Sequence, residues 1–539
     1  MEVYKYRQLE DTDYIRIIVF SRTTADDEVC FTLEHVSLAE TGDFDALSYC
    51  WGIGTRDQEV VSDGAILKVT ANLLSALRHL PRSKEVQRLW ADAICINQED
   101  HNEKSRQIPL MGKIYKTARQ TIVWLGDGCG ESEAAMQHVN NFEMSREKNN
   151  LTKKEDWELI TPILENEWFR RLWVVQEVVL AKQVVIAIGE DFASLEQFWQ
   201  LGDTLLILAV DQGWKFSSAV MSGIVNSSAI RILRTHYQKG QDMPILYLMS
   251  RTDLFLVTER KDHLYALYGL VENVDFPVNY SHDYDHVEMF IDFTIWTFAK
   301  YGNLDILSIA RGITSDCRCA GPSWAPCSDT TRPGRLLVDV PHFEASGTGP
   351  EVEVRDKKEL CVVGAFVDTI DVVNRNYRRS YDVNTLRQSA LELASFAGCQ
   401  DLSGDRYRKL CAASTFELSK TNSTATDDDV NEVDNLFKGE PTVDLEHLKV
   451  MTHWQTTRRP CVTTGDRFAW APGSQQRFDG IQAQRGDRIC ILQGGRVPYL
   501  LRRITDGTYV LVGECWVQGL MHGEALELPD YKTEKIVLV

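Results

Sequence analysis

Several side chains in this 539-residue sequence have the types and spacing to do chemistry. Glu177 ends an apolar segment that opens at Trp168, with Arg170 and Arg171 upstream in the same segment. A carboxylate so placed either pairs with one of those guanidiniums or is a perturbed acid of the kind found at reactive centres. Asp92 and Asn97 flank the end of a predicted strand, where ligands bind in open α/β sheets. Asn97 alternatively caps the helix that follows, a position where Asn is favoured. Cys95 and His101 offer a thiol and an imidazole, but no third residue stands ready to orient the base. His522 and Glu514 near the C-terminus have no better support. Cys317, Cys319 and Cys327 are the one cysteine cluster, and they lack a fourth ligand for zinc. Gly52-Ile-Gly54 is not followed by the spacing of a dinucleotide fingerprint, and no Gly-x-Ser-x-Gly elbow is present.

The elements that must position these groups are readable from periodicity. Phe44–Trp51 reads as a short buried strand. Val60–Val69 reads as a hairpin turning at Asp63-Gly64, a type I′ signal. Leu73, Leu74, Leu77 and Leu80 fall on one helical face. Leu89–Ile96 reads as another strand. Ile108, Met111, Ile114, Tyr115 and Ala118 mark an amphipathic helix. Thr121–Leu125 is a strand, Trp168–Ala181 a helix and Val184–Gly189 a further strand. Strands alternating with helices predict an α/β layer with a largely parallel sheet over residues 1–189. Residues 190–330 read as mostly helical, with good patterns over Arg260–Leu270 and His286–Tyr301. Residues 331–539 mix strands and helices. Three strand-like runs between Arg488 and Val517, with turns at Gly494-Gly495 and Asp506-Gly507, predict a small antiparallel meander or barrel. The polar, acidic stretch Thr421–Asn435 reads as a mobile loop.

The chain is 44% hydrophobic and 25% charged, enough to build a sizeable core. Its net charge of −20 argues against phosphate-backbone binding, and no basic cluster appears. Thirteen cysteines, mostly scattered singly, do not form a secreted disulfide framework. The first twenty residues lack the apolar core of a signal peptide, and no apolar run is long enough to span a bilayer. A cytoplasmic protein that binds no nucleic acid is expected.

Three blocks then stand together: Phe44–Gly52 (FDALSYCWG), Leu89–Gln98 (LWADAICINQ) and Trp168–Glu177 (WFRRLWVVQE). Between the last two lie Glu103–Gln107 (EKSRQ) and Val123–Gly126 (VWLG). In this order they resemble the signature of the fungal heterokaryon-incompatibility (HET) domain family. Arg260–Gly269 (RKDHLYALYG), Pro322–Pro326 (PSWAP) and Val512–Met521 (VGECWVQGLM) resemble segments that follow the domain in long members. Cys327-Ser328 departs from the acidic-aromatic pair commoner after Pro-Ser-Trp.

The resemblance implies fungal self/non-self recognition in which incompatible cells die. It also implies partners, either a second copy of this chain or another incompatibility protein. HET domains are themselves similar to Toll/interleukin-receptor (TIR) domains, and Trp173–Glu177 resembles the segment carrying the catalytic glutamate of enzymatic TIR domains. On that likeness Glu177 would cleave NAD, here a substrate, at the nicotinamide–ribose bond. The anion would stabilise an oxocarbenium-like ribose while nicotinamide leaves as a neutral base. Tyr49, Trp51 and Trp173 would stack on the rings, Arg170 or Arg171 would hold the pyrophosphate, and Asp92 and Asn97 would line the pocket. Two alternatives stay open. One is a HET-like enzyme of fungal specialised metabolism with a small-molecule ligand. The other is an assembly protein in which Glu177 is structural and the tryptophans are core.

Overall fold

The computed structural model describes residues 1–21, 29–52, 55–83, 86–128, 130–140, 158–212, 216–310, 321–327, 336–347, 349–375, 377, 383–419, 423–440, 455, 457–473 and 482–539. Gly54, Cys317, Cys319 and the first two residues of the acidic stretch lie outside them. The chain divides into two compact units, residues 1–248 with 254–284, and residues 249–253 with 285–539. The helical stretch expected over 190–330 is therefore shared between the units.

The first unit is built on one nine-stranded sheet. Its strands are β1 (Tyr14–Phe20), β2 (Cys30–Ser37), β3 (Asp45–Tyr49), β4 (Gln58–Ser62), β5 (Ala65–Val69), β6 (Arg88–Trp90), β7 (Thr121–Trp124), β8 (Val184–Ile188) and β9 (Asp191–Ser194). They lie in the order β5-β4-β2-β1-β6-β3-β7-β8-β9. The sheet is mixed rather than largely parallel. Its centre, β6-β3-β7-β8, is parallel, but β1 pairs antiparallel with both β2 and β6, and the β4–β5 and β8–β9 pairs are tight hairpins. Short turns can join only antiparallel neighbours, and the Asp63-Gly64 turn is one of them. Both residues have positive φ, 51° and 77°, as type I′ requires.

The four central strands follow the chain order β3, β6, β7, β8, so in space they run second, first, third, fourth. This is the flavodoxin-like doubly wound order, with its switch point between β3 and β7. All residues of β3 and β7 are buried, as expected of parallel strands covered on both faces. The helix Ala71–Ser83 buries Leu73, Leu74, Leu77 and Leu80, the face read from spacing.

Two sequence readings need correction. The strand expected over Leu89–Ile96 stops at Trp90, and Asp92–Cys95 forms a single helical turn closed by Cys95 N donating to Ala91 O at 2.8 Å. The helix expected over Trp168–Ala181 is broken into a 3-10 turn, Glu167–Arg170, and an α-helix, Val174–Val179. Arg171 is extended between them, because Leu256 pairs with this stretch like a strand. Leu256 N donates to Arg170 O at 2.6 Å, and Leu172 N donates to Leu256 O at 3.0 Å.

The second unit carries β10 (Val352–Arg355), β11 (Glu359–Val373), β12 (Arg458–Thr463), β13 (Phe468–Pro472), β14 (Arg488–Leu492), β15 (Tyr499–Thr505), β16 (Thr508–Glu514), β17 (Trp516–Val517) and β18 (Glu534–Leu538). The expected meander is part of a closed circuit. β11 pairs with β14, β14 with β15, β15 with β16, β16 with β18, and β18 with β11 again. A register shift between Phe366 and Asp368 lets the long β11 bend around this ring. Ile370, Ile489, Ile491, Leu500, Val512 and Val517 belong to the core beneath it. The acidic stretch read as a mobile loop is helical from Asp427 to Lys438. Thr426 and Asp429 form a capping box there, and three aspartates in the first turn favour the positive end of the helix dipole. Among the described residues no helix is long and apolar enough to cross a membrane.

Candidate functional site

The carboxyl ends of β3 and β6 bring most of the sequence candidates together. Ser48 and Tyr49 end β3, and Asp92 lies two residues past the end of β6. The buried helix Val174–Val179 lays Glu177 against Ser48 from another element. The Ser48 hydroxyl donates to Glu177 Oε2 in a very short hydrogen bond. Trp168 Nε1 donates in turn to Ser48 Oγ at 2.7 Å.

Glu177 is only 4% exposed. Burial pushes its pKa up to about 7, against the opposing pull of the Arg171 guanidinium and the Ser48 hydrogen bond. The ion pair expected with Arg170 or Arg171 does not form as drawn. Arg171 donates to the Tyr49 carbonyl, and Glu177 spends its hydrogen bond on Ser48. Arg170 ends the 3-10 turn, its carbonyl accepting from Leu256 N.

Asp92 is the second acid. Burial raises its pKa, with Arg171 again opposing. Trp51 Nε1 reaches both of its oxygens, at 3.2 and 3.0 Å, and Ala93 N donates to Oδ1 at 2.8 Å. The Arg56 guanidinium lies over the Trp51 ring at 5.0 Å. Tyr49 is buried beside Asp92, and burial followed by the Asp92 charge drives its phenol well up. Its hydroxyl faces the Asp92 carboxylate, and hydrogen bonding to it further holds the proton on the phenol. Asn72 ties the two central strand ends together: Nδ2 donates to Cys50 O at 2.7 Å, and Oδ1 accepts from Trp124 Nε1 at 3.1 Å.

The other candidates stand elsewhere. Trp173 Nε1 donates to Asp262 Oδ2 at 2.9 Å, and the other Asp262 oxygen accepts from Tyr280 Oη at 2.5 Å. Trp173 is thus an anchor for the helix bearing Glu177. Asn97 does not cap the next helix. Asp100 does, accepting from Asn102 N and Glu103 N at 2.9 and 3.1 Å. Asn97 N instead donates to Glu103 Oε1 at 2.7 Å. Cys95 and His101 are not a dyad. The Cys95 thiol is buried, its pKa pushed up to about 12, and it accepts from Ala91 N at 3.4 Å. His101 meets His282, Nε2 to Nε2, at 3.0 Å. Glu514 pairs with Arg458 at 2.5 Å, whereas His522 faces Glu417 at 3.6 Å. Among the described residues no group of three or more His, Cys, Asp or Glu could hold a metal ion.

Sequence reading missed Ser48, Trp168 and Asp262 as members of this network, and Arg16 behind it. Arg16 is buried in β1 and meets Glu103 at 2.6 and 3.0 Å, with two carbonyls, Cys95 O and Arg7 O, taking further donors. The signal for Arg16 was present as one basic residue inside the apolar run Tyr14–Phe20.

Comparison with known proteins agrees with this architecture. Residues 44–177 match the family model described as heterokaryon incompatibility protein (HET). Residues 422–535 match the Het-6 β-barrel domain. Over 90% of its length the chain is 23% identical to heterokaryon incompatibility protein 6, OR allele, of Neurospora crassa, and covers 90% of that protein. No solved structure matches the chain.

Proposed function

We propose that the chain, whose residues 44–177 match the heterokaryon-incompatibility (HET) family model, is an effector of fungal self/non-self recognition whose Glu177 centre cleaves NAD. The observation that carries this reading is the placement of buried Glu177 and partly exposed Asp92, both with raised pKa values, around Arg171 at the carboxyl ends of β3 and β6. β3 also borders the switch point of the doubly wound core, and at such a point these sheets bind ligands beyond the strands' carboxyl ends. The strand order of that core and the Glu177 segment are also what support the TIR likeness. In this reading ionised Glu177 stabilises the oxocarbenium-like ribose. Arg171 favours the charged form, and Ser48 orients it. A ribose reaches the carboxylate when the Trp51 side of the cluster opens.

The test is nicotinamide release by concentrated wild-type protein against Glu177→Gln, with melting temperatures matched. Release by the wild type alone is expected. Equal release by both, or none by either, removes Glu177 as the catalytic group. Expression of both forms in a compatible fungal strain then asks whether growth arrest follows the activity.

A second reading has its own observation. The Ser48 and Trp168 hydrogen bonds leave the Glu177 carboxylate well satisfied inside the core. On that view the centre is a rigid core for a protein that works by self-association, and Glu177→Gln leaves growth arrest intact.

A further inference from the structure

His101 and His282 are 181 residues apart in sequence, yet their Nε2 atoms meet at 3.0 Å. Both belong to the first unit. His101 opens the helix His101–Gln107, behind the Asp100 cap. His282 is delivered to it by a segment pinned on two sides. Tyr280 N donates to Ser105 Oγ at 3.2 Å, and Lys104 Nζ lies 4.0 Å from the Tyr280 ring centroid. Lys261 Nζ donates to the carbonyls of Asn279 and Ser281, at 3.2 and 3.1 Å. The fold itself therefore brings the two imidazoles together.

As a plain hydrogen bond the pair is poor. One neutral ring must donate from Nε2 while the other accepts. The ring centroids are only 4.5 Å apart and the planes cross at 81°, so the rings do not point end to end and the N–H···N bond is bent. His101 Nδ1 is buried without a partner, so moving a proton there to free Nε2 gives up no bond except the one to His282. Two neutral imidazole nitrogens side by side are good ligands for a transition metal. On a tetrahedral zinc, bonds of about 2.0–2.1 Å hold two such nitrogens about 3.3 Å apart. His282 is exposed and can yield the small difference.

We propose that His101 and His282 chelate a divalent metal ion that prefers nitrogen ligands, such as zinc, with water in the remaining positions. Magnesium and calcium favour oxygen ligands and do not suit the pair. The chain's net charge of −20 favours any cation. The ion clips the segment around Tyr280 to the helix His101–Gln107. Tyr280 Oη holds Asp262 at 2.5 Å, and Asp262 holds Trp173 Nε1 at 2.9 Å. The clip thereby steadies the seat of the helix that carries Glu177, whether or not Glu177 cleaves NAD.

Equilibrium dialysis of the full chain against micromolar zinc chloride tests this, with His101→Gln and His282→Gln beside wild type. Glutamine keeps a side chain that can hydrogen-bond but offers zinc a poor ligand. Wild type should retain one more equivalent of zinc than either variant. Zinc should also raise the melting temperature of wild type alone, and magnesium should raise none of the three. Because His282 is exposed, its variant should melt with wild type when no metal is present, so the comparison does not depend on the His101 variant. Zinc retention equal in wild type and either variant overturns the proposal. So does a zinc-induced rise in melting temperature that either variant keeps, or that magnesium reproduces.

Discussion

Gly112 and Gly269 meet backbone to backbone, so that a Cβ on Gly112 would lie 2.5 Å from Gly269 Cα. A Cβ on Gly269 would likewise lie 2.7 Å from Gly112 Cα and 2.6 Å from Gln176 Oε1. This contact locks the RKDHLYALYG segment onto the helix Met111–Thr117, although the two are far apart in sequence. Neither backbone can yield cheaply. Gly112→Ala and Gly269→Ala should each cost about 2 kcal/mol or more in urea unfolding. Wild-type midpoints for both would mean that the two segments slide freely.

The Arg16–Glu103 pair should behave as a buried ion pair. Glu103→Ala leaves Arg16 charged and surrounded by carbonyls, at a cost of about 3–5 kcal/mol. The double change Arg16→Met with Glu103→Leu should recover much of that loss, since neither charge remains to be desolvated. A double variant as unstable as the single one would show that the pair contributes by more than mutual compensation.

Glu177 ties stability to pH with a definite sign. Its folded pKa, about 7, lies above the ordinary value of 4.5, so the folded protein holds this proton more tightly than the unfolded chain does. The group therefore costs stability as pH rises from about 4.5 to about 7, by about 3 kcal/mol in all. Asp92 acts in the same direction. Unfolding free energies at pH 5 and pH 8 should fall further in wild type than in Glu177→Gln. Parallel profiles would place the Glu177 pKa near that of an ordinary glutamate.

Thr426→Ala removes the hydroxyl that caps Asp427–Lys438 and donates to the Asp429 carboxylate, while the backbone N–H bond to Asp429 stays. A loss of about 1 kcal/mol is expected, seen as a lower midpoint in thermal melts. Thr426→Ser should restore most of it. Should the alanine variant melt with wild type, the acidic turn is held by something other than its cap.

The sequence made the central strands legible because β3, β7 and β8 are short apolar runs that end at turn signals. It hid β1 because Arg16 breaks that run, and the partner that makes the charge tolerable lies 87 residues away. The segment after Trp90 misled for the opposite reason. Ala-Asp-Ala-Ile-Cys-Ile is apolar enough for a strand, but hydrogen bonds from Ile94 N and Cys95 N to Ala91 O and from Ile96 N to Asp92 O curl it into a turn. That curl matters to the site, because it presents Asp92 rather than extending past it. The acidic stretch was misread through its charge, while Thr426-x-x-Asp429 stood there as a cap. Of the candidate residues, Glu177, Arg171, Tyr49, Trp51 and Asp92 converge, whereas Trp173 turns to Asp262 and Asn97 to Glu103. The first could not be read from spacing, because Asp262 lies 89 residues from Trp173, whereas the second is local, with Glu103 only six residues from Asn97.

The barrel circuit also sets an order of events during synthesis. Its last member, β18, is residues 534–538, and it pairs with β11, which begins at Glu359. Every strand of the first unit has left the ribosome long before that pairing can form, and that unit can acquire its own core from residues already made. For an interval in the life of each molecule the HET half stands folded while its companion barrel is still open.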